Sequence, residues 1–476
     1  MNTVSVATVR GSTVPIHAYT LFMSMRVAAV WALVVTWVAV TASVLAADAE
    51  FEKKRAAEIG LEPGMMLDRT TAPRAVDLLP AEILTHYQKN EYRNEIVDWP
   101  LGRSSLGGDF EARTRWNSEN LTAGGEGTII EKASGQQPSF VYGTPFPKID
   151  SSDPRAAVKI LWNYFYTNSW WNGSTHTVVE LLWLSPSGID RKAGQDVLNK
   201  FYDGVPPDFR PRENSNNLLE QFIAMTTKPA DLYGTAALSW RYRDSHKRDS
   251  VWAYVPALRR VRQVSPSNRS DGFLGSDLSQ DDGGFFDGKP EDFTWKLVGE
   301  REMLVFVDPF RLTGEGEVMA LPGGGWRGIW KDVPSFGFQD RSWTGVSWAP
   351  VAHKLARRKV WVIEGVPKDS YYLYGKIQLS VDQEDWHGVF NRKFSWKGEL
   401  LSTLQIPGGP TTAMSDGVHF FSAAIGSGEF NQVAENIKMN RATGVTSDRS
   451  PGTPNDRSIP IDESFFDFQT LNRLGK

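Results

Sequence analysis

The residues of this chain best suited to chemistry are seven histidines, four closely spaced aspartates and one glycine-rich loop. Their spacing decides what they can do. His17, His86, His176, His246, His353, His387 and His419 include no pair four apart and no HExxH frame, so they are not arranged as a zinc hydrolase. Asp277, Asp281, Asp282 and Asp287 supply the carboxylate oxygens that Ca²⁺ takes. Gly283 is out of place for an EF-hand loop and the closing Glu is missing, so a solvated acidic loop is the expectation there. The GGGWRG segment at 323–328 could wrap an anion with backbone N–H groups, although a flexible loop with an aromatic tip accounts for it more simply. No GxxxxGK[ST] phosphate loop, no GxGxxG after a strand and no GxSxG elbow occurs. The 56 acidic residues always offer carboxylate pairs, and only a measured separation would give such a pair meaning. The absence of Cys excludes disulfides, Cys-ligated metal sites, thiol catalysis and acylation of a lipobox cysteine. A non-catalytic protein without metal or cofactor is expected.

More informative is LSWRYRDSHKRDSVWAYVPALRRVRQV at 238–264, which reads as strand, polar turn, strand. Its second strand puts Val251, Ala253 and Val255 on one face and Trp252 and Tyr254 on the other, so both faces are apolar. Beyond Pro256, Arg260 and Arg262 share a face and Arg259 takes the opposite one. Two readings stand side by side. The aromatics line a concave surface for an apolar ligand while the arginines hold an anionic headgroup or a partner; or the aromatics are core and the arginines pair with surface acids.

The elements that must position these residues belong to a globular chain of 476 residues, 41% hydrophobic and 23% charged, whose net charge of −4 speaks against nucleic acid as a partner. Residues 27–47 carry no charge, follow Arg26 and end in small residues, which is the pattern of a secretory signal. Cleavage is expected after Ala46, with Ala49 as the second choice and Met23 or Met25 as alternative starts. The competing reading is an uncleaved membrane anchor over 27–47. The remaining chain divides into an N-terminal extension over 47–150, helical and irregular, and a β domain over 151–476, which could form one unit. Short helices are expected at 50–59 and 80–89, a clear one begins at Asp153-Pro154, and another is expected over 217–225, where Leu218, Leu219, Phe222 and Ile223 make a stripe. Strand-like runs fall at 177–184, 232–243, 251–264, 359–364, 371–381, 394–406 and 418–425. Because helices do not alternate with these strands, the fold class is α+β with a large antiparallel sheet. No repeat of 20–50 residues is visible, and the turn-rich tail 447–460 reads as a strap over the surface.

The hairpin motif, then DGFLGSDLSQDD at 271–282 and KVWVIEGVPKDSYYLYGKIQLSVDQEDW at 359–386, resembles a family of secreted Gram-negative proteins built on a domain of unknown function. That family is similar to outer-membrane lipoprotein-sorting proteins. The match lies in Trp252, Tyr254, Pro256, Arg259, Arg260 and Arg262, in the Gly275-Ser276-Asp277 turn and in Val381-Asp382 at a strand end. The resemblance implies an incompletely closed antiparallel β-barrel like that of the periplasmic lipoprotein carriers, with helices covering the open side of a hydrophobic cavity. It implies a periplasmic location and a lipid or other hydrophobic small molecule as ligand. The implied partner is a membrane transporter of the resistance–nodulation–division type or an outer-membrane protein. The chain is about twice a carrier's length and lacks the receptor's lipidated Cys, so a related hydrophobe-binding or shuttle role fits better than lipoprotein sorting itself. The contacts this reading selects are Trp240, Trp252, Tyr254, Trp361 and Tyr374 for the apolar body and Arg259, Arg260 and Arg262 for an anionic end. The Trp richness also suits a glycan-binding protein or glycan-acting enzyme of the cell envelope, and a third alternative is a scaffold for a membrane transporter.

Overall fold

The computed structural model describes residues 54–98, 108–170, 173–207, 210–211, 213–307, 317–329, 334–407, 413–415, 418–420, 432–448, 450 and 452–474. The expected signal segment 1–46, its expected cleavage sites and the membrane-anchor alternative over 27–47 fall outside them. Among the described residues no helix is long and apolar enough to cross a membrane. Residues 61–476 form one compact unit, so the stretch 61–150 shares its unit with the sheet; residues 54–59, described by themselves, are helical.

The strands of the large sheet are β1 (Thr175–Ser185), β2 (Gly188–Phe201), β3 (Leu218–Lys228), β4 (Ala236–Tyr242), β5 (Ser250–Val255), β6 (Arg260–Val264) and β7 (Phe293–Val307). They continue as β8 (Lys354–Pro367), β9 (Lys376–Asp382), β10 (Gly388–Phe394), β11 (Leu400–Gln405), β12 (Gln432–Asn436), β13 (Arg441–Ser447) and β14 (Asn455–Arg457). From β1 each strand to β6 lies beside its predecessor, and from β7 the chain returns through β8 to β13, which pairs with β1 through Ala442 opposite Leu184. All these ladders are antiparallel, as expected. The strands β6 and β7, consecutive in sequence, therefore stand at opposite edges, and the sheet is not closed. Residues 265–292 have to connect one edge to the other.

That connection passes through the inner side of a curled sheet. Helix α3 (Ala156–Tyr164) is buried on every side except at Lys159 and continues into a wider π turn at Phe165–Ser169. A helix buried nearly all round, mostly apolar and with its Asn163 bonded to the Phe146 backbone, belongs at the centre of a core. It shares one cluster with Phe201 of β2, Leu181 of β1, Val445 of β13, Leu404 of β11, Leu379 of β9 and Ile363 of β8. Eight neighbouring strands would span about 34 Å if flat, against a helix about 10–12 Å across. The sheet must curl for strands this far apart to share one core with the helix. Phe273, Leu278, Phe285 and Phe286 of the crossing segment complete the cluster. A Cβ on Gly388 of β10 would stand 2.1 Å from the Phe285 ring, so only glycine lets that ring seat against the strand.

The expected cover of helices over the open side takes a different form. Helix α1 (Ala81–Gln88) lies on the outer face of β10–β12, held by Glu82 to Arg392 at 2.7 Å and by His86 to Glu435 at 2.8 Å. Helix α4 (Phe468–Leu474) belongs to the cluster that caps Ile223, Leu238 and Tyr254 on the outer face of β3–β5. Both faces of those strands are apolar, so the outer one also needs burial. For the same reason the helix expected over 217–225 is a strand: with Phe222 and Ala224 facing in and Ile223 and Met225 facing out, a period of two leaves no polar trace. The helix expected at Asp153-Pro154 starts later, at Ala156, because the Asp153 carboxylate accepts the Arg155 N–H in a turn. Helix α2 (Gly108–Asn120) escapes the periodicity reading because only Phe110, Thr114 and Asn117 are buried and only one of them is apolar.

Candidate functional site

A cavity of about 240 Å³ lies between the inner faces of β1–β4, the π turn after α3 and the crossing segment. Alternation along β1 points Thr175, Thr177, Val179 and Leu181 into it. Facing them are Phe222 and Ala224 of β3, Ala237 of β4, and Phe273, Leu278 and Phe286 from the crossing segment. This wall is chiefly apolar, but it is not uniform. At the Thr175 end, Asn199 donates to the Thr175 hydroxyl at 2.9 Å, and Arg457 enters through β14, whose backbone places Arg457 opposite Thr175 and Asn455 opposite Thr177. Several wall atoms are buried without a hydrogen-bond partner among the described residues, including Asn168 Oδ1, Gln195 Nε2, Gln280 Nε2, Gln432 Oε1 and Arg457 Nε. Buried polar atoms ordinarily find partners, so this wall suits a ligand with polar as well as apolar parts.

A buried charge network adjoins the cavity and reaches its wall through Glu220 and Asp287. Arg241 of β4 reaches Asp249 and Asp287, each at 3.0 Å, and Glu220 at 3.6 Å. Arg269 meets Asp281 at 2.5 Å and Asp287 at 2.9 Å, and the Tyr372 hydroxyl donates to Asp281 at 2.7 Å. Burial, reinforced by Asp287, pushes the Glu220 carboxyl up to about 8 against the opposing pull of Arg241 and Arg269. Burial would raise the Asp249 carboxyl as well, but Arg241 and Arg269 outweigh it and hold the group below its ordinary value. The network ties the crossing segment to the sheet, with Lys393 on Asp282 and Arg441 on Asp277 at 3.0 Å as further anchors. The aspartates expected to form a solvated loop are thus largely buried and ion-paired, because the loop runs through the interior instead of over the surface. Among the described residues no group of three or more His, Asp or Glu is placed to hold a metal.

The structure separates the residues selected from sequence. Trp240 and Trp252 meet edge to face with centroids 5.3 Å apart, Trp252 meets Phe468 of α4 at 6.3 Å, and the Trp240 indole donates to the Phe466 carbonyl. With Tyr254 they belong to the outer-face cluster under α4, so they hold the C-terminal segment and stay out of the cavity wall. Trp361 and Tyr374 pack in the inner core, also outside the cavity wall. Arg259, Arg260 and Arg262 are exposed at or next to the edge strand β6, with Arg259 in a left-handed turn at φ +47° after Pro256. Charge on an edge strand discourages pairing with another chain, which accounts for the cluster without a ligand. Asp382, the strand-end residue, accepts from Arg358 at 2.7 and 2.8 Å and from the Glu384 N–H at 2.8 Å, fixing the turn into β10. Residues 323–328 belong to a hairpin, 317–320 against 326–329, whose second strand pairs with β14. Arg457 was hidden in sequence by the turn-rich tail around it.

A curated relative, an uncharacterized protein of Pseudomonas aeruginosa, is 22% identical over 286 residues, which cover 57% of this chain. The match spans about half of that relative's length, 54%. Similar solved structures include a putative outer membrane lipoprotein-sorting protein domain from Vibrio parahaemolyticus and a DUF1329 family protein from Desulfovibrio piger. Each is 15% identical with a TM-score of 0.43, over 67% of this chain and 100% of theirs. A LolA superfamily protein from Nitrosomonas europaea is 14% identical with a TM-score of 0.38, over 66% of this chain and 98% of its own. The family model for proteins of unknown function DUF1329 matches residues 108–407, well over half of the chain, and to that family this protein belongs.

Proposed function

We propose that this protein is a non-catalytic periplasmic binding or shuttle protein that encloses one lipid-like molecule between its curled sheet and the crossing segment. The observation that carries this reading is the apolar cavity against β1–β4. At about 240 Å³ it lies below the roughly 300–1,000 Å³ of drug-sized sites, so it suits a single chain or small ring system better than a multi-chain lipid. Burial at about 25 cal/mol per Å² of apolar surface drives capture, and only the surplus over ordering costs appears as affinity. A transporter of the resistance–nodulation–division type or an outer-membrane protein is the donor or acceptor in this scheme.

The test is mass spectrometry of organic extracts from protein purified without detergent, paired with displacement of a fluorescent fatty-acid probe. A stoichiometric hydrophobic compound supports the reading; extracts matching a control protein, together with no probe binding, overturn it. Ala224, buried with its side chain in the wall, offers a sharper check. Ala224→Phe should fill the cavity and weaken probe binding at least tenfold while the protein stays folded. Overpacking costs about 1–3 kcal/mol where space is short, so Ala237→Leu serves as the milder variant. Unchanged affinity in a folded variant would place the ligand elsewhere.

A further inference from the structure

Resting on the reading that the cavity holds a lipid-like molecule, we infer that Arg457 binds an anionic head on it. The ligand class becomes a single-chain amphiphile ending in a carboxylate or phosphate. The first ground is a contrast among buried arginines. Arg243 meets Asp203 at 2.6 Å, Arg269 meets Asp281 at 2.5 Å, Arg241 meets Asp249 at 3.0 Å and Arg358 meets Asp382 at 2.7 Å. Arg457 is 1% exposed, yet among the described residues its Nη1 donates only to the carbonyl of Asp456, the preceding residue, at 2.8 Å, and its Nε has no partner. The neighbouring Asp456 carboxylate is engaged in a two-point pair with Arg327, at 2.5 and 2.8 Å. Burial pushes the Arg457 guanidinium down to about 9, with only Asp456 acting against it, so it still carries its charge at neutral pH. An unpaired buried cation is costly, and a planar guanidinium with a free edge matches carboxylate and phosphate oxygens in geometry.

The second ground is the direction of the wall. Arg457 stands opposite Thr175, which stands opposite Asn199, so these three form a polar end. From there β1 leads through Val179 to Leu181, six residues or about 20 Å from Thr175, with Leu278 and Phe286 also in the wall. A head at Arg457 and a tail along β1 would satisfy both ends. The acids that also face the cavity do not cancel this charge. Asp287 is held by Arg241 and Arg269 at 3.0 and 2.9 Å, and burial keeps Glu220 largely protonated at neutral pH.

Calorimetric titration of the delipidated mature chain at pH 7 tests the assignment with dodecanoate, dodecyl phosphate, 1-dodecanol and inorganic phosphate. The acid or the phosphate ester should bind at least tenfold more tightly than the alcohol, and inorganic phosphate alone should not bind measurably. Arg457→Met, which replaces the charge by an apolar side chain of similar length, should bring acid and alcohol within about twofold of each other without weakening the alcohol. Its melting temperature should rise, since the desolvated charge is gone. Equal binding of acid and alcohol to the unaltered protein would overturn the head assignment and leave the cavity reading standing. Failure of every alkyl probe would overturn both. Inorganic phosphate binding as tightly as its dodecyl ester would make the ligand a free anion and remove the amphiphile. The acid-to-alcohol ratio in the unaltered protein decides the matter even if the variant does not fold.

Discussion

Arg241→Met should cost about 3–5 kcal/mol at pH 7, the range for breaking a buried ion pair from one side, and should loosen the crossing segment before it unfolds the sheet. The Arg241 side chain is 3% exposed and serves Asp249, Asp287 and Glu220 together. Without it, among the described residues Asp249 keeps Arg269, at 3.7 Å, and the more distant charge of Lys289, and Asp287 keeps one of its two arginines. Two carboxylates would then sit in the interior short of countercharge. The effect should depend on pH with a definite sign. In the unaltered protein the Asp249 carboxyl is held below its ordinary value, because the arginines outweigh burial, so its contribution is present above the unfolded-state pKa near 3.8 and is lost as pH falls through the folded value. In the variant, burial dominates and protonation relieves the strain, so the gap between the two proteins should shrink toward pH 4. Urea melts at pH 7 and pH 4.5 measure this, and hydrogen exchange over 265–292 measures the loosening. Lys192→Met, which removes an exposed pair to Glu180 with Lys192 62% exposed, should cost less than about 1 kcal/mol by comparison. An equal cost at the two positions would mean that the buried network holds nothing in place.

How far sequence reaches in this protein depends on whether one strand face is polar. Strands such as β8 and β9 carry enough Val and Ile within turn signals to be visible, and their antiparallel arrangement follows from the lack of intervening helices. β3 reads as a helix in sequence because both its faces are buried, one against the cavity and one under α4, and its apolar residues happen to fall three and four apart. The tryptophans on β4 and β5 were legible as buried. Their face was not, since only the tertiary arrangement says which side of a doubly covered strand encloses the cavity. Trp252 and Tyr254 share a face with Leu238 and Ile223, the face opposite Ala237 and Phe222. The polar wall residues Thr175, Gln195 and Asn199 look in sequence like the solvated side of ordinary strands. Arg457 gave no signal at all, because its burial depends on the tail turning back to extend the ladder on β1 beyond β13.

His86 should make stability fall as pH rises through neutrality, and His86→Phe should remove that dependence at a cost of about 2–3 kcal/mol near pH 6, the scale for stranding a buried charged group. Its two ring nitrogens each lie 2.8 Å from a carboxylate oxygen, Nδ1 from Glu91 and Nε2 from Glu435. An imidazole can donate from both nitrogens only when it is protonated. Burial by itself would lower the His86 pKa, but the hydrogen bonds and charges of Glu435 and Glu91 outweigh it and the value is raised above 6.5. The stabilisation is therefore complete below about 6.5, the unfolded-state pKa, and disappears as pH climbs through the folded one. Two other groups titrate in the same direction. Burial raises Glu220 to about 8 and Glu291 to about 7, so each also favours the folded state at lower pH. The unaltered protein alone cannot separate the three, whereas the difference between it and His86→Phe isolates the histidine. Phe keeps a ring against Tyr92, which His86 stacks on at 4.4 Å, so lost packing contributes little. Urea melts at pH 6 and pH 9 should show a gap that narrows with rising pH, with faster hydrogen exchange in α1, which the His86–Glu435 pair fastens to β12. A gap of constant size would mean that His86 is neutral in the folded protein and that α1 is held by Glu82 and Arg392 instead.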